Sequence, residues 1–361
     1  MARIAPSMTR WELGGSMDDE VPGDIAERIR RRNGAATIYD IAELAGVNPS
    51  TVSRALSKPG RISKKTEERI RAAADLLDFQ FNPMARALPT GRSHTIGLMV
   101  ADITNPVIFG IVRGAEHTAA SAGYTLVIAE SQESGEAEAE AVSRLMPSVD
   151  GLILATTRLG DERITRLAER KPVILINRRV DGIVGVLPQV EEGVVELVAH
   201  LADLGHTSIA YLSGPETSWI SRRRWEALLD AAETRGIAVV EIGPLSPTID
   251  GGREALRRVQ AARTSAVIAF NDLMAIGLIQ ASTASGIRIP DDLSVAGFDD
   301  IFGSELIVPA LTTVRAQLQL AGERAVGKVL EALGDATEPV SDEPLATTLV
   351  VRGSTGPVAR S

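Results

Sequence analysis

At 361 residues, with 44% hydrophobic and 24% charged side chains, the chain is long enough for two or three domains and a large core. It holds no run of 18 apolar residues and no apolar signal core near its N-terminus, so neither a membrane-spanning helix nor export is expected. The absence of cysteine excludes disulfides, thiolate metal sites and cysteine nucleophiles, and fits a cytoplasmic protein.

The net charge of −9 is unevenly spread. Residues 36–95 carry 9 basic and 6 acidic side chains, whereas residues 96–361 carry 23 and 35. A basic module on an acidic body points to a polyanionic partner met through the module alone, because the body repels phosphate.

In chain order, residues 1–35 mix glycine, proline and charge without a sustained period, and read as a flexible N-terminal tail in which Arg28 to Arg32 can add phosphate contacts. Residues 36–82 read as a compact helical domain. Thr37 is placed to cap a first helix, with Asp40 three positions on as a weak capping box. Ile41, Ala42, Leu44 and Ala45 give that helix its apolar positions. Gly46 suits a tight turn. Asn48 caps a second helix, and Pro49 takes its first position, where a missing N–H costs nothing.

Rotation of about 100° per residue separates the faces of this second helix. Val52 and Leu56 point inward together. Ser50 and Arg54 fall on nearly the opposite side, one turn apart, and would face a major groove. Arginine binds guanine O6 and N7 in bidentate fashion, worth about 1–3 kcal/mol of base discrimination. Thr51 and Ser53 flank this face and suit phosphate contacts. Ser63 caps a third helix over 64–77, whose Ile70, Leu76 and Leu77 complete a small core. Residues 83–95 read as a linker with one short helical piece.

From Ile96 the pattern changes to continuous apolar runs such as IGLMVA at 96–101, GLILAT at 151–156 and SAVIAFN at 265–271, separated by helix-length amphipathic segments. Such runs indicate parallel sheets covered on both faces, and there are enough for two α/β subdomains. Ligands of such sheets bind at the carboxyl ends of strands. Asp102 with Asn105, Asn177 with Arg178, and Asn271 with Asp272 stand at such ends. Paired amides and carboxylates match vicinal hydroxyls, so a sugar-like guest is expected.

Enzyme readings find little support. There is no GxSxG or HExxH motif, and His94, His117, His200 and His206 show no metal-ligand spacing, so neither catalytic residue, metal nor cofactor is expected. Gly322, Gly327 and Lys328 imitate a phosphate loop, but Val329 stands where Mg²⁺ binding needs a hydroxyl, and no strand precedes. The alternative is a solute-binding or enzymatic α/β protein with a helical appendage. A signal peptide or catalytic constellation would favour it, and neither is present.

The residues Thr37-x-x-Asp40-Ile41-Ala42-x-x-Ala45-Gly46-Val47, followed by Thr51-Val52-Ser53-Arg54, resemble the LacI/GalR-type bacterial transcription regulators. The resemblance continues through Asn82, Ala85-Arg86-x-Leu88 and Ile96-Gly97, and covers residues 37 to about 352. It implies an α/β protein with a small all-α helix-turn-helix headpiece and a periplasmic-binding-protein-like core of two doubly wound parallel-sheet subdomains. The implied division is 36–82 headpiece, 83–95 hinge helix and linker, 96–188 with 289–320 as one subdomain, 189–288 with 321–352 as the other, and 353–361 as a tail. It further implies a repressor that binds a palindromic double-stranded DNA operator as a homodimer, away from membranes, under control of a small-molecule effector.

By position, the resemblance puts Pro49, Ser50 and Arg54 in base-reading places, with Asn48 keeping the cap. It puts Thr37, Tyr39, Thr51 and Ser53 in phosphate-contacting places, and Leu88 as a minor-groove wedge that bends the duplex. Pro89 must end the hinge helix. In the core, Asp272 matches a ligand-binding aspartate and Arg224, within Arg222-Arg223-Arg224, a ligand-binding arginine. Trp219 either stacks on a sugar or packs in the core. Val107 and Ile108 stand where aromatics are usual, which removes stacking surface. Phe298-Asp299-Asp300 and Pro309-x-Leu311-Thr312-Thr313-Val314 match the crossing between subdomains.

Overall fold

The computed structural model describes residues 21–32, 35–57, 61–79 and 91–358. They fall into two compact units, residues 1–86 and 87–361.

The first unit is helical. Helices α1 (Gly23–Arg31), α2 (Ile38–Ala45), α3 (Pro49–Ser57) and α4 (Lys64–Leu76) share one core. α2 starts at the extended Thr37 and ends at Gly46, whose φ of 61° is the left-handed stop that glycine supplies without strain. Ser63 caps α4, its hydroxyl accepting from the Thr66 amide at 3.3 Å. Arg69 of α4 donates to the Ala45 carbonyl at 2.6 Å and so closes the turn from below.

The expectation of a flexible tail over 1–35 is corrected at 23–31. Ile25 and Ile29, each 2% exposed, pack with Ile41, Val52 and Ile70. A nine-residue helix is marginal by itself, and its order comes from tertiary burial of one narrow apolar edge. Val21, Ile25 and Ile29 recur every four residues, a helical apolar edge that is present in the sequence but short and set among charged residues. Of the expected linker, residues 83–90, including Leu88, lie outside the described residues.

The second unit holds two sheets. The first contains β1 (Thr95–Val100), β2 (Thr125–Glu130), β3 (Gly151–Ala155), β4 (Val173–Ile176) and β5 (Gly185–Val186), all parallel, in the order β2-β1-β3-β4-β5. Its helices are α5 (Val107–Ser121), α6 (Gly135–Leu145) and α7 (Asp161–Ala168). The second sheet contains β6 (Ser208–Leu212), β7 (Ala238–Ile242), β8 (Ala266–Ala269), β9 (Ser294–Asp299), β10 (Thr312–Arg315) and β11 (Thr348–Val350). Its order is β11-β10-β9-β8-β6-β7, with only β11 antiparallel to its neighbour. α8 (Val190–Asp203), α9 (Trp219–Arg235), α10 (Ile249–Ala262) and α11 (Asp272–Ala284) accompany it. The inner strands are buried end to end, which is why they read as unbroken apolar runs.

Two segments expected in one subdomain belong to the other. Residues 289–320 were expected with the first sheet, but β9 and β10 lie in the second, β9 pairing with β8 and β10 with β9. Residues 321–352 were expected with the second sheet, but α12 (Leu318–Leu333) packs on α5 and the first sheet, while only β11 joins the second. Hydrophobic period distinguishes a strand from a helix but does not say which sheet will accept it. The α5–α12 contact is close because Gly114 and Gly322 face backbone: a Cβ at Gly114 would meet the Gln319 carbonyl at 2.0 Å. The chain thus passes between the sheets after Val186, after Arg315 and after Leu333.

Truncating Ile25 to alanine tests whether α1 is part of the first unit. We expect a loss of about 2–4 kcal/mol for a fully buried isoleucine, seen as earlier melting of the helical unit by circular dichroism. An unshifted transition would detach α1 from that core.

Candidate functional site

The outer face of α3 carries Ser50, Ser53 and Arg54, all exposed, with Thr51 half-buried beside them. Val52 on the opposite side is fully buried and Ala55 nearly so. The Asn48 carbonyl accepts from the Thr51 and Val52 amides at 2.8 and 3.2 Å, which starts the helix, and Pro49 opens it without an N–H to satisfy. Tyr39, at 68% exposure, projects from the first turn of α2.

Thr37 behaves differently from its expected role. Its amide and its hydroxyl both donate to Asp40 Oδ2, at 2.8 and 2.7 Å. A threonine has one hydroxyl hydrogen and one amide hydrogen. Both are committed, so Thr37 has no donor left for a phosphate. Burial alone would push the Asp40 carboxyl up, but hydrogen bonds from Thr37 and Arg32 outweigh it and hold the group below its ordinary value.

The second candidate site is a cleft within the core, where the carboxyl ends of strands from both sheets converge. Asp102 follows β1, Thr156 follows β3 and Asn177 follows β4; Phe270 and Asn271 follow β8, and Asp299 ends β9. This is the position at which open parallel sheets bind ligands. Glu133, Thr156, Asn177 and Asp299 all have positive φ, from 56° to 106°. Non-glycine residues pay about 1–3 kcal/mol for such conformations, which cluster at binding sites.

Two arginine–carboxylate couples stand in this cleft. Arg224 on α9 donates to the Asp299 carboxylate and to the Phe270 carbonyl, each at 2.5 Å. Its guanidinium lies 4.4 Å from the ring centre of Phe298 and 5.2 Å from that of Phe270, a cation–π seat. Arg158 donates to Glu133 at 2.6 and 2.8 Å and to the Thr156 carbonyl at 2.8 Å. Each couple presents donor and acceptor edges together, the pairing that two neighbouring hydroxyls require.

Of the residues expected to bind an effector, the structure gathers Asp102, Asn177, Arg224 and Asn271 at the cleft. Helical rotation places Arg224 inward with Ser221 and Leu228, leaves Arg222 exposed, and pairs Arg223 with Glu191 and Glu226. Asn271 caps α11, accepting from the Met274 amide and donating to the Pro247 carbonyl, so much of its capacity is structural.

Three expected residues are not brought there. Arg178 pairs with Asp161 of α7 at 2.6 Å. Trp219 lies at the start of α9 in a separate surface pocket with Asp161, Arg179 and Asp181, and packs partly against the core. Asp272 is fully buried behind the cleft. It accepts from the Ile301 amide, Ser304 and Thr313 at 3.0, 2.6 and 2.6 Å. Asp272 stands three residues past the end of β8 and opens α11, which turns it inward, so of these two aspartates it is Asp299 that lines the cleft. Asp299, Arg158 and Glu133 were not singled out as ligand residues, although each follows or ends a strand and the strand-end rule applies to all of them.

Comparison with known proteins identifies both parts of the chain. Residues 37–82 match the family model described as bacterial regulatory proteins, lacI family, and residues 198–355 match a periplasmic binding protein-like domain. The chain is similar to the HTH-type transcriptional regulator DegA of Bacillus subtilis (strain 168), with 31% identity covering 89% of this chain and 98% of that protein. It is similar to the ribose operon repressor of Halalkalibacterium halodurans, with 31% identity over 88% and 97%. Among solved structures it resembles the lac repressor dimer bound to operator and the anti-inducer ONPF, with a TM-score of 0.79 and 28% identity over 89% and 99%.

Asp272 gives the core a pH dependence. Burial, with the neighbouring Asp299 charge, raises it from 3.8 to about 7, against the three hydrogen bonds that favour its charged form. Its protonated form therefore stabilises the fold. That contribution is complete below about pH 4 and is lost as pH rises through about 7. The melting temperature of the core should fall between pH 5 and 8.5, and Asp272→Asn should flatten that fall. Parallel profiles would show that Asp272 does not titrate there.

Proposed function

The chain belongs to the lacI family of bacterial regulatory proteins, and we propose that it represses transcription as a homodimer on a palindromic operator, released or retained by a sugar-like effector held in the core cleft. The observation that carries this reading is the outward row Ser50–Arg54 on α3, set against the buried Val52. The function is binding rather than catalysis, requires no cofactor, and places the protein in the cytoplasm with the chromosome.

On this reading Arg54 and Ser50 read base edges in the major groove. Pro49 offers no side-chain hydrogen bond, which leaves direct readout to these two. Tyr39, Asn48, Thr51 and Ser53 position the headpiece on the backbone. Leu88 wedges into the minor groove at the operator centre. The effector is gripped between the walls of the cleft, by Asp102, Asn177 and the Arg158–Glu133 couple on one side and the Arg224–Asp299 couple with Asn271 on the other. The ribose operon repressor among the relatives supports a sugar or a related polyol. With Val107 and Ile108 on the cleft wall, hydrogen bonding rather than stacking selects the guest.

The effector acts by differential affinity alone. A ligand that bridges both walls favours one angle between the subdomains, and it shifts operator binding only by the ratio of its affinities for the two states, with about 1.4 kcal/mol per tenfold change.

Two measurements check this account. On an operator selected from a randomised duplex pool, Arg54→Ala should lose about 1–3 kcal/mol of discrimination between operator and random duplex, with salt-dependent binding to both retained. Unchanged discrimination would remove Arg54 from base reading. Arg224→Ala should still bind operator yet fail to respond to whichever sugar of a ribose, cellobiose, galactose and xylose panel shifts the intact protein. A response of ordinary size in that variant would place the effector elsewhere.

A further inference from the structure

α1 lies ahead of the 37–82 segment that the family model matches, yet it is built into the same core as the reading helix. It ends beside the first turn of α2. Arg32, immediately after α1, sends Nη2 to both oxygens of Asp40 at 2.7 and 2.8 Å, and Nε to the Arg28 carbonyl at 3.2 Å. Its Nη1 donates to the Thr37 hydroxyl at 3.2 Å.

These bonds leave a specific imbalance. Phosphate oxygens only accept hydrogen bonds, and both hydrogens of Thr37 are committed to Asp40. Thr37 is therefore an acceptor toward Arg32 and has nothing to offer a phosphate. Nη1 of Arg32 carries two hydrogens, of which one goes to Thr37. The Arg32 side chain remains 40% exposed, and Tyr39 projects into solvent from the same first turn of α2. Arg28 shares in balancing Asp40, at 3.8 Å, so the buried carboxylate faces two guanidinium groups.

We propose that Arg32 is a DNA-backbone contact of this headpiece, taking over the phosphate that the hydroxyl of Thr37 cannot bind. α1 then serves to hold that guanidinium at the start of α2, and the DNA-binding surface includes residues ahead of the family headpiece. The inference rests on the DNA-binding reading above. Because a phosphate contact carries no sequence information, its test needs no operator.

The test is the salt dependence of binding of the full chain to a 30-base-pair duplex of arbitrary sequence. Each phosphate neutralised adds about 0.9 to the slope of log K against log salt. Arg32→Gln should flatten the slope by about that amount for each headpiece on the duplex, and weaken binding several-fold at 0.1 M salt. Should the loss of the Asp40 pair unfold the headpiece, Arg32→Gln with Asp40→Asn removes both charges together, and is compared with Asp40→Asn alone for the same flattening. Arg32→Lys should keep the slope. A parallel displacement of the line, with unchanged slope, would show that Arg32 only positions α2 and would overturn the contact. Absence of salt-dependent duplex binding by the unmodified chain would instead remove the DNA-binding reading itself.

Discussion

The guanidinium of Arg224 is buried, and a buried charge must be answered. Removing one partner of such a pair costs about 3–5 kcal/mol, because the other is left uncompensated in a poor solvent. Asp299 supplies the answer from the end of β9, at a φ of 106°. The ring faces of Phe298 and Phe270 surround the cation, and the Asp299 charge adds to the upward push that burial already gives Asp272. A polar guest entering this cleft would meet charges already balanced, so little rearrangement of these side chains themselves would be needed.

The headpiece repeats the logic with the signs exchanged. Asp40 is the buried charge, and Thr37, Arg28 and Arg32 answer it. A capping box usually satisfies two donors at a helix start and ends there. Here the carboxylate also draws a guanidinium down from an added helix, and the first turn of α2 becomes a junction between two elements. The shape of the reading surface thus depends on residues that are far from α3 in sequence.

Much of this was legible in the sequence where a residue's role is set by its immediate neighbours. Gly46 as a left-handed stop, Ser63 as a cap, Val52 inward against Ser50 and Arg54 outward, and the unbroken buried strands all follow from local stereochemistry and period. What was not legible depends on the partner that burial selects. Ile25 and Ile29 bury because they join the core that α2, α3 and α4 share. α12 packs closely on α5 because glycines at both 114 and 322 let the two helices approach, and a window around 318–333 holds only one of them. Asp299 ends β9 while Asp272 opens the helix after β8, and only the start of that helix turns Asp272 away from the cleft. Residues 83–90, read as the hinge, lie outside the described residues.

The placement of α12 has a consequence in time. The face of α5 that packs against α12 is synthesised about 200 residues before its cover, and at about 5–20 residues per second that interval is some 10–40 s. During it, Gly110 and Gly114 present a bare, backbone-lined groove that nothing nearby in sequence can fill. The first sheet cannot complete its core vectorially as it leaves the ribosome. It must wait for the chain to build most of the second sheet and return. Neither lobe is therefore a self-sufficient cassette, and recombination that exchanged one lobe between relatives would have to cut the gene at all three crossings together.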